Sequence, residues 1–131
     1  MDRKQQALEL HSKKFNCAQS IACSFCNVMG ADPVQTFKQA EALGFGMGCM
    51  GTCGVLTGMA LVVGMKMSDG NLDDPHTKKE CYKMMSALTK EFNEKCGSTV
   101  CSELKSAENR KSCDELIAYG VELLDKHLLG L

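Results

Sequence analysis

The sequence contains no tryptophan, its aromatic content is 5%, and neither sign of charge predominates, with 15 Lys and Arg against 16 Asp and Glu. A near-neutral balance gives no support to a nucleic-acid or membrane-surface partner, since both are recognised through basic clusters. The apolar run Gly54–Met65 is far shorter than the ~20 residues a membrane-spanning helix needs. Behind Met1-Asp2-Arg3-Lys4-Gln5-Gln6 there is no apolar stretch of the signal-peptide kind, so a cytoplasmic location is expected. No GxGxxG, GKS or GKT is present, and no strand precedes the glycine-rich stretch, which discounts nucleotide binding. No Cys-x-x-Cys-His occurs, so covalent c-type haem is not expected. Nor does any acid–base pair or Ser–His–Asp arrangement stand out, and a hydrolase is not indicated.

What is present is sulfur: nine cysteines and nine methionines in 131 residues. Cytoplasmic cysteines are kept reduced, so this many point to metal or redox work rather than to a disulfide scaffold. A free cysteine also serves as a small buried hydrophobe, which suits any one of the nine better than all together. The methionines fall on helical apolar faces and read as packing. The length suits one domain, 1–131, large enough to bury a core without staples.

Periodicity and capping signals predict an all-α, single-domain bundle of about six helices. Asp2–Ser12 is a short amphipathic helix. Asn16 with Gln19 is a capping box opening a helix at Cys17 that runs to Met29 and ends at Gly30. Asp32-Pro33 opens another, through Ala42. Thr52 is the expected cap of a helix over about 53–67 that is apolar all round, the buried centre of the bundle. Its glycines Gly54, Gly58 and Gly64 lower helix propensity or permit close helix approach. Asp74-Pro75 is expected to start a long helix to Lys95. Ser98 or Thr99 caps a short turn holding Cys101, and a polar stretch runs on to Lys111. Ser112 with Glu115 is a capping box that places Cys113 first in the last helix. No stretch alternates as a strand.

The chain is organised around Gly44–Gly58, where five glycines fall between Gly44 and Gly54 with Cys49 and Cys53 among them. A glycine loop that runs into a helix start exposes unpaired N–H groups at the positive end of the helix dipole. Gly48, Gly51, Thr52 and Gly54 are therefore the backbone positions expected to hold an anionic group or a thiolate-bound metal centre. Cys17, Cys53 and Cys113 each follow a cap and open a helix, and Cys101 lies two or three residues beyond one. A thiol there has its thiolate favoured. If the four helix starts converge, they make a four-thiolate site suited to Zn²⁺ or an iron–sulfur centre. Their spacing matches no zinc-finger or ferredoxin run.

Asn16-Cys17-Ala18-Gln19-Ser20, the glycine loop into Cys53-Gly54-Val55-Leu56-Thr57-Gly58, Cys101-Ser102-Glu103-Leu104 and Cys113 together resemble the C_GCAxxG_C_C family of redox-active proteins, over most of the chain and in order. The resemblance implies that Cys17, Cys53, Cys101 and Cys113 are the four hallmark cysteines. A similar domain in split-Soret cytochromes is helical and bears iron–sulfur, which implies a cysteine-ligated iron–sulfur centre here, with 2Fe–2S as one form, or a redox-active thiol set. Val55 stands where the pattern has Ala, a bulkier side chain near the site. The expected role is electron transfer or redox sensing, as an oxidoreductase or an electron-transfer component, with a redox partner protein. A homodimer is left open.

Two alternatives use the same residues. A metal-free thiol–disulfide protein would cycle Cys49–Cys53 or Cys53–Cys101, with Cys53 at low pKa. A structural protein would hold Zn²⁺. Of the other cysteines, Cys49 is the expected fifth ligand or resolving thiol and Cys96 the next candidate, while Cys81 reads as core. Cys23-Ser24-Phe25-Cys26 is a CxxC placed inside a helix, without the βαβ context and helix start of a thioredoxin motif, so a core or second-site role is expected. His11, His76 and His127 read as surface histidines.

Overall fold

The computed structural model describes residues 2–106 and 111–131. Residues 107–110, part of the polar stretch expected before Lys111, lie outside the described residues. The helices are α1 (Arg3–Ser12), α2 (Cys17–Ser24), α3 (Cys26–Met29), α4 (Pro33–Ala40), α5 (Gly54–Met67), α6 (Lys78–Cys96), α7 (Cys101–Leu104) and α8 (Cys113–Leu129). The fold is all-α, and among the described residues the only extended pairing is one antiparallel bridge, Thr52 with Val100. The helices outnumber the expected six for two reasons. The helix expected over 17–29 breaks at Phe25, whose backbone sits at φ −100° and ψ −5°, and the turn at Cys101 is a helix of its own. No described helix is long and apolar enough to cross a membrane.

Four helix starts are set by side-chain caps. Asp2 accepts from the Gln5 amide at 2.8 Å, Asn16 from Gln19 at 2.8 Å, Asp32 from Gln35 at 2.8 Å and Ser112 from Glu115 at 3.1 Å. Asn16 also donates from Nδ2 to the Glu41 carbonyl at 2.9 Å, which ties the start of α2 to the end of α4. Asn16→Ala should therefore cost more than a lost cap alone, about 2 kcal/mol against the usual ~1, read as a lower urea midpoint.

Two starts differ from expectation. Asp74-Pro75 does not open α6. The Asp69 carboxylate accepts from the Asn71 and His76 amides at 3.1 and 3.0 Å, and Asn71 Oδ1 accepts from Asp73 and Asp74 at 3.1 Å each. These Asx turns compete with the helix for the same backbone, and α6 begins only at Lys78. Thr52 does not cap α5. Its backbone is committed to the bridge with Val100, and Cys53 becomes the N-cap residue at φ −52° and ψ 133°.

The centre of the bundle is a pair of helices rather than one. In α2 every residue from Ala18 to Ala22 is buried, and α5 buries Val55, Leu56, Met59, Val62 and Val63 while Ala60 and Lys66 reach solvent. The pair approaches closely at glycine. A Cβ on Gly58 would stand 2.8 Å from the Ala18 carbonyl oxygen and 2.9 Å from its Cα, whereas one on Gly64 would meet nothing within 4 Å. α6 and α8 close the core with Leu88, Phe92, Ile117, Val121 and Leu124, all fully buried. Val55 is accommodated at Gly120 of α8, where an added Cβ would meet its Cγ1 at 2.6 Å.

Candidate metal centre

The α2–α5 contact that buries the core also aligns the starts of both helices. A Cβ on Gly54 would lie 3.3 Å from the Cys17 Cβ, so the glycine lets α5 begin directly beside the first residue of α2. The bridge adds the second pair of cysteines. The Cys53 amide donates to the Thr99 carbonyl at 2.8 Å and the Cys101 amide to the Gly51 carbonyl at 2.6 Å. Cys53 and Cys101 flank Thr52 and Val100, and strand alternation puts both on the opposite face from those two. Cys113 enters as the first residue of α8. Cys17, Cys53, Cys101 and Cys113 line one cavity of about 20 Å³, with Gly54, Phe45 and Lys105 also in its wall.

Other expected positions fall elsewhere. Gly51 contributes its carbonyl to the Cys101 amide, while Gly48 and Thr52 are exposed and stand outside the cavity wall. Exposed Cys49 turns its thiol to the Gly46 carbonyl at 3.3 Å. Cys96 is buried at the end of α6, and Cys81 packs half-buried against the core.

Lowered thiol pKa values at all of these helix starts were the expectation, and the electrostatics differ. Cys17 donates its S–H to Cys113, and this bond, then burial, then the neighbouring Cys113 and Cys53 charges, raise the Cys17 pKa. The same bond lowers Cys113, helped by Lys105 and His11 and opposed by burial. Within the pair a thiolate is therefore favoured at Cys113 over Cys17. Cys53 is pushed up to about 11 because burial outweighs the Val55 and Leu56 amides that favour its thiolate. The helix-start amides thus act at Cys53, and burial prevails over them. Among the four cavity thiols, iodoacetamide should modify Cys113 first at neutral pH, and Cys53 should follow only as the pH approaches its raised value. Peptide mass mapping across a pH series reads both.

His11 is not a plain surface histidine. Its ring nitrogen and the Cys17 and Cys113 sulfurs all lie within 4.8 Å of one another, and Nδ1 sits 2.9 Å from the Asp114 carboxylate. A carboxylate on one ring nitrogen fixes the tautomer that presents the other. This contact depends on α1 packing across α8, and no local pattern signals it. His76 pairs with Asp74 at 3.0 Å in the open and His127 with Glu91 at 2.8 Å. The cavity thus offers soft sulfur donors, and outside its wall His11 stands within reach of Cys17 and Cys113, a set suited to Zn²⁺ or to iron.

The family model described as "Putative redox-active protein (C_GCAxxG_C_C)" matches residues 15–127, a span holding all four cavity cysteines. No curated protein and no solved structure matches the chain.

Proposed function

Because the chain belongs to the C_GCAxxG_C_C family, we propose that it holds an iron–sulfur centre on Cys17, Cys53, Cys101 and Cys113 and uses it for electron transfer or redox sensing in the cytoplasm, with a redox protein as partner. The observation that carries this reading is four thiols, delivered by four separate elements, around one cavity. The donor set fits: thiolates are the ligands of such centres, and one of the four is already favoured as thiolate. A bound centre supplies one-electron storage. The chain's own residues supply charge balance and access. Lys105 lies 5.2 Å from the centre of the Phe45 ring and offsets negative charge at Cys17 and Cys113. Phe45 lines the cavity yet is 52% exposed, so the site lies directly beneath the surface a partner would touch.

A second reading rests on two other observations. The cavity has the volume of about one water molecule, and His11 joins Cys17 and Cys113 within ligand reach. Both suit a single Zn²⁺. Iron, zinc and acid-labile sulfide per chain, with a visible spectrum, on protein isolated without oxygen decide between the two. Iron with equal sulfide, lost in Cys53→Ser, supports the cluster. Zinc without sulfide supports the single ion. Protein with neither would overturn both and direct attention to the Cys17–Cys113 thiol pair.

A further inference from the structure

A second cavity, of about 600 Å³, shares no residue with the four-thiol site. Its walls are mostly apolar, with Leu10 from α1, Val34 and Phe37 from α4, and Phe15, whose ring meets that of Phe37 edge-on with centroids 4.9 Å apart, while Gln6 and Asn27 add polar groups. Two thiols open onto it, Cys23 and Cys26. They straddle the break at Phe25, so the CxxC lies at the seam between α2 and α3 and not within a continuous helix. Burial first, and then the neighbouring Cys26, raises the cost of ionising Cys23. Cys23 is half-exposed and Cys26 is buried, its thiol directed to the Ala22 carbonyl at 3.7 Å. An accessible thiol beside a shielded one, at the floor of a roomy apolar cavity, has the form of an attacking and resolving pair.

We propose that Cys23 and Cys26 are a second redox site, a dithiol that reduces small uncharged organic disulfides bound in this apolar cavity. The Cys23 sulfur, as thiolate, attacks one sulfur of the bound disulfide. A new S–S bond forms to Cys23, the substrate S–S bond breaks, and the leaving thiolate takes up the proton released from Cys23. Cys26 then gives up its proton and attacks the Cys23 sulfur, which closes the Cys23–Cys26 disulfide and releases the second substrate thiol. The pair loses two electrons, the substrate gains them, and two protons pass with them; an external dithiol restores the starting state. Burial pushes the Cys23 thiol up to about 11. Attack by Cys23 therefore speeds up as the pH rises toward that value, because the thiolate is the nucleophile.

The test uses the full reduced chain, at mildly alkaline pH, with dipyridyl disulfide as an uncharged probe and glutathione disulfide as a charged one. Acid quenching and peptide mass mapping should locate a Cys23–Cys26 disulfide, with an uncharged-to-charged rate ratio about tenfold or more above the ratio the same two probes show with free N-acetylcysteine, because the rings bury apolar surface in the cavity. Cys26→Ser should retain the probe as a mixed disulfide on Cys23. Val34→Glu, which leaves both thiols in place, should lower that ratio toward the one seen with N-acetylcysteine. Disulfides found only among Cys17, Cys53, Cys101 and Cys113, a rate ratio no greater than that of N-acetylcysteine, or a folded Val34→Glu with an unchanged ratio would overturn the proposal. None of these readouts depends on the metal content, so this site and the four-thiol site stand or fall separately.

Discussion

Serine in place of Cys113 should leave the protein folded and unable to retain metal. Cys113 is half-buried at the first position of α8, where the Ser112 cap and not the thiol secures the helix start, so the substitution removes chemistry rather than packing. It removes a donor common to both ligand sets, the four-cysteine set and the set with His11. It also removes the sulfur of the Cys17–Cys113 pair at which the thiolate is favoured. Outer-shell partners alone are worth 10–100-fold in metal affinity, so loss of a ligand should exceed about 100-fold. Two companion variants separate the sets. Cys101→Ser should discharge iron and sulfide if the cluster is present while His11→Gln leaves them in place. The opposite pattern, zinc lost with His11 and retained without Cys101, marks the single-ion site. Metal and labile sulfide per chain, measured beside the circular dichroism spectrum, give each answer.

Gly58→Val should lower stability by about 3 kcal/mol, roughly 10 °C in melting temperature for a chain of this size. Replacing glycine inside a helix ordinarily gains up to ~1 kcal/mol of helix propensity. At Gly58 that gain is overtaken, because the atoms a side chain meets at 2.8 and 2.9 Å are the Ala18 carbonyl oxygen and Cα. Backbone in the middle of α2 cannot rotate aside as a flexible side chain does, so the helices must separate. Gly64→Ala on the same helix meets nothing within 4 Å and should stabilise by about 0.5–1 kcal/mol. The pair of variants isolates the contact: a neutral Gly58→Val would show that α2 and α5 do not pack at this distance. Since Cys17 opens α2 and Cys53 caps α5, the same substitution should weaken metal retention without touching a ligand.

Much of this was legible locally. The Asn16, Asp32 and Ser112 caps and the close approach allowed by Gly54 and Gly58 follow from residue type and spacing, and both caps that precede a cavity cysteine directly, Asn16 and Ser112, are of this kind. What local reasoning misplaced depends on partners far along the chain. Thr52 has the side chain of a cap, but Val100 takes its backbone. Asp74-Pro75 has the form of a helix start, but Asp69 and Asn71 hold the amides around it. Phe25 fits an unbroken helical pattern, and nothing nearby announces the break that sets Cys23 against Cys26. His11 becomes a neighbour of Cys17 and Cys113 only through the packing of α1 on α8. The direction of the thiol shifts was likewise decided by tertiary quantities, the Cys17–Cys113 contact for that pair and burial for Cys53, where the sequence offers only the helix-start amides.

The Thr52–Val100 bridge has a consequence for motion. Its two flanking hydrogen bonds are the amides of Cys53 and Cys101 themselves, each donated to the opposite segment. Neither bond belongs to a helix, so neither is protected by fraying-resistant turns on both sides, and separating the segments breaks both in one step. In deuterated water the two amide hydrogens should show a common protection factor, lower than those of the α5 interior and raised together when the cavity is filled. Two labels on distant parts of the chain would then report a single breathing event, the one through which sulfur ligands on both segments gain or lose contact with whatever they hold.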